Sequence, residues 1–271
     1  MFKKTHIYNF FFTIIVLCSL ICRKDVDCSE YMDTAAQVSK GSFRASLYYV
    51  DLDHKPTITV YKGGSKIQIG NEIFDYISQT EASIECRAKS NQEAVKVVFN
   101  PFGGFIWWGK IGSCDFTFDL PSANSIDRFE NISQGIVVGL GLRYQVFPET
   151  IVTPGILMDF GFTTSENNIQ KFSVDGVFAG IVDSKLTTQE TQAAFVLSKK
   201  IKNIEPFGGI KVRRDYLKFI DLSSLEYLDG YKDTVDVFLG LKIQIYHYES
   251  VMLEANFIGE TSVALGLGIG F

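Results

Sequence analysis

The sequence predicts an all-β fold, a transmembrane up-and-down antiparallel β-barrel, and three observations carry that prediction. Segment after segment alternates apolar with other residues at period two, the pattern of a strand whose two faces meet different surroundings. Many of these segments exceed the usual five or six residues and match the roughly 9–11 that a tilted strand needs to cross a bilayer. Short and long connections also alternate, as they do where one rim of a barrel carries tight turns and the other carries loops. A soluble sandwich alternates its faces too, but it has no reason to sort its connections by length.

Composition points the same way. The chain has 271 residues, with 23 Phe, 12 Tyr and 23 Gly, a β-rich balance unlike that of a helical protein. Only six prolines occur and 21% of residues are charged, so neither disorder nor a linker-rich chain is indicated. The mean hydropathy of +0.11 is too polar for a helical membrane protein.

The N-terminal stretch MFKKTHIYNFFFTIIVLCSLICRKD places Lys3 and Lys4 before an apolar run from Phe10 to Cys22. At about 13 residues this run is too short to span a bilayer as a helix, and it reads as a secretory signal peptide over 1–24, with cleavage anywhere from 22 to 28. Residues 25–42 read as a linker and 43–271 as the barrel. Removing Lys3 and Lys4 from the 26 basic residues leaves 24 against 31 acidic ones, a net charge near −7 that argues against nucleic acid as a partner. Of the five cysteines, Cys28, Cys86 and Cys114 lie beyond the signal. Their spacing fits no zinc or redox motif, and either a Cys86–Cys114 bridge or inert thiols would suit an exported chain.

In chain order, ASIECRAK at 82–89 alternates Ala82, Ile84, Cys86 and Ala88 against Ser83, Glu85, Arg87 and Lys89, and a strand at 92–101 follows. Residues 104–119 begin with Phe105, Trp107 and Ile111 on one face and continue with Cys114, Phe116 and Phe118, which predicts a phase slip at a β-bulge near Gly112–Ser113. Trp107, Trp108, Phe102 and Phe105 stand beside a short turn, where an interfacial aromatic girdle belongs. Further strands are expected at 134–147, 151–164, 187–199, 204–217, 233–247, 250–258 and 262–271. The 233–247 strand sets Val235, Val237, Leu239, Leu241, Ile243 and Ile245 on one face, opposite Asp236, Phe238, Gly240, Lys242 and Gln244. The count is ten. SLYYVDLDHKPTITVYKGGSKIQIG either adds two strands, making twelve, or forms a hairpin outside the wall.

The last strand, TSVALGLGIGF, sets Val263, Leu265, Leu267, Ile269 and Phe271 against Ala264 and three glycines. A terminal Phe on such a strand resembles the assembly signal of bacterial outer-membrane β-barrel proteins. The resemblance covers 43–271 as an architecture and implies a bacterial outer-membrane location, lipid around the wall, and recognition of Phe271 by the barrel assembly machinery during insertion.

Catalytic patterns are thin. His6 lies in the signal, His54 near the N-terminus and His247 beside a short turn, and no nucleophile elbow, zinc-protease or P-loop motif occurs. No enzyme activity, cofactor or metal is expected. The proposed lumen lining is Glu85, Arg87, Lys96, Lys110, Asp119, Arg143, Asp159, Lys211, Arg213, Asp236, Lys242 and Glu254. Charges of both signs in a narrow interior either pair and fill it, which suits a structural or envelope-surface role, or line a porin-like path for small solutes. An outer-membrane enzyme is the third reading. The long loops 121–133, 165–186 and 218–232 would serve any extracellular ligand, whose nature nothing in them names.

Overall fold

The computed structural model describes residues 41–54, 57–60, 67–69, 72–74, 82–85, 87–121, 126–131, 133–221, 227–246, 248–258 and 262–270. The signal segment, most of the linker, Cys28, Cys86, His247 and Phe271 lie outside the described residues. Among the described residues fifteen strands are present: β1 (Phe43–His54), β2 (Thr57–Val60), β3 (Ile67–Ile69), β4 (Glu72–Phe74), β5 (Ala82–Glu85), β6 (Arg87–Phe99), β7 (Phe105–Pro121), β8 (Ile126–Asn131), β9 (Gly135–Phe147), β10 (Gly155–Val174), β11 (Val177–Ser198), β12 (Ile204–Asp221), β13 (Tyr227–Gln244), β14 (Glu249–Phe257) and β15 (Ser262–Gly270). Among the described residues no helix is long and apolar enough to cross a membrane.

Ten strands form a closed antiparallel wall in the order β1, β6, β7, β9 and then β10 to β15. It closes where β15 pairs with β1, from Arg44 opposite Gly270 to Asp51 opposite Val263. Closure leaves no sheet edge within the wall, which is what lets strands cross hydrocarbon. One rim carries the tight connections after β6, β9, β11 and β13. Strands β2 with β5 and β3 with β4 make two small separate pairs between β1 and β6.

The tenth wall strand differs from the expected one. Residues 82–89 are divided, with 82–85 in β5 and 87–89 at the start of β6, while Phe43–His54 takes the tenth place. The expected strands at 82–89 and 92–101 leave a gap at Ser90–Asn91, yet backbone pairing to both β1 and β7 carries β6 straight through it. Polar side chains do not interrupt a ladder made of peptide groups.

Nor does β7 slip. Its register with β6 is continuous from Arg87 opposite Asp119 to Phe99 opposite Trp107. Ile106, Trp108, Cys114, Phe116 and Phe118 are all buried on the inner face, while Trp107 and Ile111 are exposed. Trp107 suits an outer girdle, but its neighbour Trp108 points inward, as consecutive strand residues must.

The long connections are largely strand. β10 and β11 continue for 20 and 22 residues and meet at Asp175-Gly176. Both turn residues have positive φ, 48° and 79°, the requirement of a two-residue type I′ turn. β8 occupies part of 121–133 and runs collinear with β9 between β7 and β10. At the break between them the Asn131 side chain replaces a peptide: its Oδ1 accepts from Phe116 N at 2.8 Å and its Nδ2 donates to Ser133 O at 2.9 Å.

Candidate functional site: the barrel interior

The outer face defines a belt. Leu47, Val97, Ile111, Leu140, Phe160, Ile210, Val212, Val235, Leu239 and Leu253 are all exposed on it. Beyond the belt, on the rim away from the tight turns, the rule reverses. There Asp115, Glu166, Arg214 and Asp233 face out, while Phe116, Phe118, Phe129, Ile169, Phe172, Leu186, Leu217 and Phe219 are buried inside. Phe129 is the centre of this inner cluster, with ring centroids 5.1 Å from Phe172, 5.6 Å from Phe219 and 6.4 Å from Phe118. A belt in hydrocarbon needs apolar residues outside, whereas an extension in water needs them inside. One continuous sheet satisfies both demands by exchanging faces.

Within the belt the interior is layered. Nearest the tight turns, Val98, Ile106, Trp108, Leu157, Ala194, Val196, Phe207 and Phe238 form an apolar layer. Trp108 fits because Gly141 and Gly161 leave room: a Cβ on either would stand 2.3 or 2.5 Å from its indole carbons. Polar contacts hold the ring in place. Its Nε1 donates to Asp159 Oδ1 at 3.1 Å, and Lys96 Nζ lies 4.1 Å from the ring centroid. Arg143 Nε donates to the other Asp159 oxygen, in an ion pair whose side chains are at most 1% exposed.

A second charged group lies on β11, β12 and β13. Arg213 Nε is 3.1 Å from Asp215, its NH1 3.6 Å from Glu190 and its NH2 4.0 Å from Asp236, with Lys211 fully buried one row away. Toward the tight turns, Lys242 Nζ stands 3.6 Å from Glu205, which also accepts from the Ser198 hydroxyl at 2.9 Å.

Of the twelve residues read as lumen lining, Lys96, Lys110, Arg143, Asp159, Lys211, Arg213, Asp236 and Glu254 are buried on the inner face, and the Lys242 side chain is 15% exposed. Arg87 is exposed on the outer face, because β6 keeps one phase and buries Ala88 beside it. Asp119 shares the outward phase of Asp115 and Thr117 and is bound by Arg128 through two hydrogen bonds of 2.6 and 2.9 Å. That fork also raises the Arg128 guanidinium above its ordinary range. Glu85 lies on β5, outside the wall, and its side chain is outside the described residues.

Glu205, Gln192, Glu190 and Asp215 join the interior without having been expected there. Glu205 could have been found by extending the phase of Phe207 back through Pro206. Cys114 is a buried free thiol, 3.4 Å from Asn167 Oδ1, and not half of a bridge. Among the described residues no acidic, His or Cys cluster suits a metal.

No family model matches the chain, and no curated protein does. Solved structures do. The translocator domain of autotransporter NalP from Neisseria meningitidis is similar at 8% identity and TM-score 0.41, covering 86% of this chain and 88% of that one. The transport unit of the autotransporter AIDA-I from Escherichia coli aligns at 10% identity and TM-score 0.41, over 89% and 92%. The outer membrane protein OprG from Pseudomonas aeruginosa does so at 10% and 0.40, over 88% and 99%. By its closed ten-stranded wall, apolar outer belt and tight-turn rim, the chain has the architecture of a bacterial outer-membrane β-barrel protein.

Proposed function

We propose that the protein is a non-enzymatic bacterial outer-membrane barrel whose interior is packed with its own side chains and whose role lies at the envelope surface. The packed interior is the observation that carries the reading: Trp108, Arg143, Asp159, Lys211, Phe238 and Glu254 are each no more than 3% exposed. Lipid surrounds the belt, and the assembly machinery takes Phe271 as its signal during insertion. The extension beyond the belt is then the working surface. Planar-bilayer recording on the refolded protein tests this, with silence expected and stable stepwise currents overturning it.

A channel for small solutes is the second reading, and one feature favours it. The Gln192 amide and the Thr234 hydroxyl have no hydrogen-bond partner among the described residues, and the Asp236 carboxylate has no hydrogen bond there, although all three are at most 5% exposed. Buried polar atoms of this kind are normally satisfied by water, so a hydrated stretch beside Arg213 would give a path its middle section.

A further inference from the structure

The tight-turn rim carries a fixed surface that the barrel interior does not use. In the β9–β10 turn, PETIVTP at 148–154, Thr150 Oγ1 accepts from Thr153 N at 2.9 Å and from Val152 N at 3.3 Å, and the Thr150 and Thr153 hydroxyls are 2.7 Å apart. Lys199, at the start of the β11–β12 turn, holds the same loop from the side: its Nζ donates to the carbonyls of Thr150, Ile151 and Thr153, the last two at 2.9 and 3.2 Å. Lys200 N donates to Glu149 Oε1 at 2.8 Å and joins the two turns a second time. The loop so held presents Ile151 and Val152 98% and 86% exposed, with Ile201 51% exposed on the neighbouring turn. A loop tied down with its aliphatic side chains in the open marks an interaction surface.

Position and charge choose the occupant. The three side chains continue the apolar belt, which ends on these strands at the exposed Phe147, Leu197 and Ile204. In an outer-membrane barrel the tight turns stand at the periplasmic leaflet. Of the four tight turns, KKIKN at 199–203 alone carries lysine or arginine. Glu149 lies 3.7 Å from Lys199 Nζ and offsets that charge. Lys200 and Lys202 remain: Lys200 Nζ donates to the uncharged Gln244 amide at 3.0 Å, and Lys202 is exposed. A basic pair beside exposed aliphatics suits a ligand that is anionic at one end and apolar at the other. We propose that these two turns bind an anionic phospholipid of the periplasmic leaflet, its phosphate at Lys200 and Lys202 and its acyl chains against Ile151, Val152 and Ile201; this rests on the outer-membrane reading above. Lysine fits the task because its stem lies along apolar surface while its ammonium stays in the headgroup layer.

The test uses the mature protein refolded into phosphatidylcholine/phosphatidylglycerol vesicles, with folding read by heat-modifiable mobility. Trp107→Phe removes the exposed indole and leaves Trp108, buried inside the wall, as background, and Ile151→Trp then places a reporter at the tip of the loop. Bromine on acyl chains quenches an indole at contact, so brominating one lipid at a time gives the relative occupancy of each at the tip. Phosphatidylglycerol should be preferred over phosphatidylcholine by about fivefold or more, the factor that one basic residue supplies at a membrane surface. Lys200→Gln with Lys202→Gln should bring that ratio to about one, with folding unchanged. Val152→Trp provides a second reporter where Ile151→Trp does not fold. Equal quenching by the two brominated lipids before the lysines are replaced, or a preference that survives their replacement, would overturn headgroup recognition. A folded barrel whose reporter neither lipid quenches would overturn it as well and leave the rim to a soluble partner. Failure of the wild type to enter vesicles would instead bring down the membrane reading, and this proposal with it.

Discussion

The indole of Trp108 donates to Asp159 across the barrel interior, Nε1 to Oδ1 at 3.1 Å, and so ties β7 to β10 through side chains although β9 lies between them in the wall. A hydrogen bond to a buried charged acceptor contributes about 1.5–3 kcal/mol. Trp108→Phe removes the donor, keeps most of the ring, and should lower the unfolding free energy in lipid vesicles by that amount. Urea titration followed by heat-modifiable mobility measures it, and an unchanged midpoint would mean that water replaces the indole.

Arg143 and Asp159 form an ion pair whose side chains are at most 1% exposed. Removing one partner leaves a buried charge without its counterion, a loss of roughly 3–5 kcal/mol, whereas removing both often costs little. Arg143→Met should therefore destabilise the barrel strongly, and Arg143→Met with Asp159→Leu should recover most of the loss. A double-mutant cycle in the same vesicles gives the coupling, and additive losses would contradict the pairing.

Legibility in the sequence followed the physics of each element. The alternation in Val235–Gln244 reads directly because hydrocarbon outside and a polar interior impose opposite demands on successive residues. The same rule misleads for Cys114, Phe116 and Phe118. Their apolar face turns inward once the strand leaves the belt, and a sequence carries no mark of where hydrocarbon ends, so a change of solvent mimics a slip of phase. The β10–β11 extension reads in sequence as the long loop 165–186, because its polar flanks SENNIQK and DSKLTTQE look like loop and a strand in water has no apolar outer face; the hairpin signal it does carry is Asp175-Gly176. β1 took the place expected for 82–89 because closure depends on which strand meets β15. That is a long-range pairing without a local signature.

The belt predicts its own sensitivity. Leu239 is 59% exposed near the middle of the apolar outer face of β13. Leu239→Arg should cost about 2–4 kcal/mol at the midplane, whereas Thr117→Arg, outward-facing but beyond the belt, should cost little. Equal stabilities in lipid would mean that the belt has been placed on the wrong stretch of the wall. Gly240→Ala probes the opposite face, since its Cβ would stand 2.1 Å from the Phe207 ring.

On the outer surface of the extension, Arg214 holds Asp233 through two hydrogen bonds of 2.6 and 2.7 Å, and this keeps the Asp233 carboxyl below the usual carboxylate range. A lowered folded-state pKa stabilises above the unfolded value and loses that contribution as pH falls through the folded one. Arg214→Gln should therefore move the Asp233 titration back up toward the ordinary range and remove the small acid-side dependence that it contributes. Carboxyl-resolved NMR in detergent reads the shift, and an unmoved Asp233 would show that the pair does not persist in solution.

The last prediction separates the extension from the wall beneath it. Phe129 is 2% exposed and touches Phe118, Phe172 and Phe219, yet it lies on β8, a strand that among the described residues pairs with the outer parts of β7 and β10. Truncating a buried Phe to Ala costs about 3–5 kcal/mol where the surroundings cannot collapse. The belt below has its own closure, lipid contact and inner layer of Trp108, Phe207 and Phe238, none of which depends on Phe129. Phe129→Ala should therefore speed amide exchange in β8 and the outer halves of β7, β10 and β12 while leaving β14, β15 and heat-modifiable mobility unchanged. Exchange that accelerates evenly around the whole barrel would show that wall and extension unfold as one unit. The aromatic cluster would then be part of the barrel's single core.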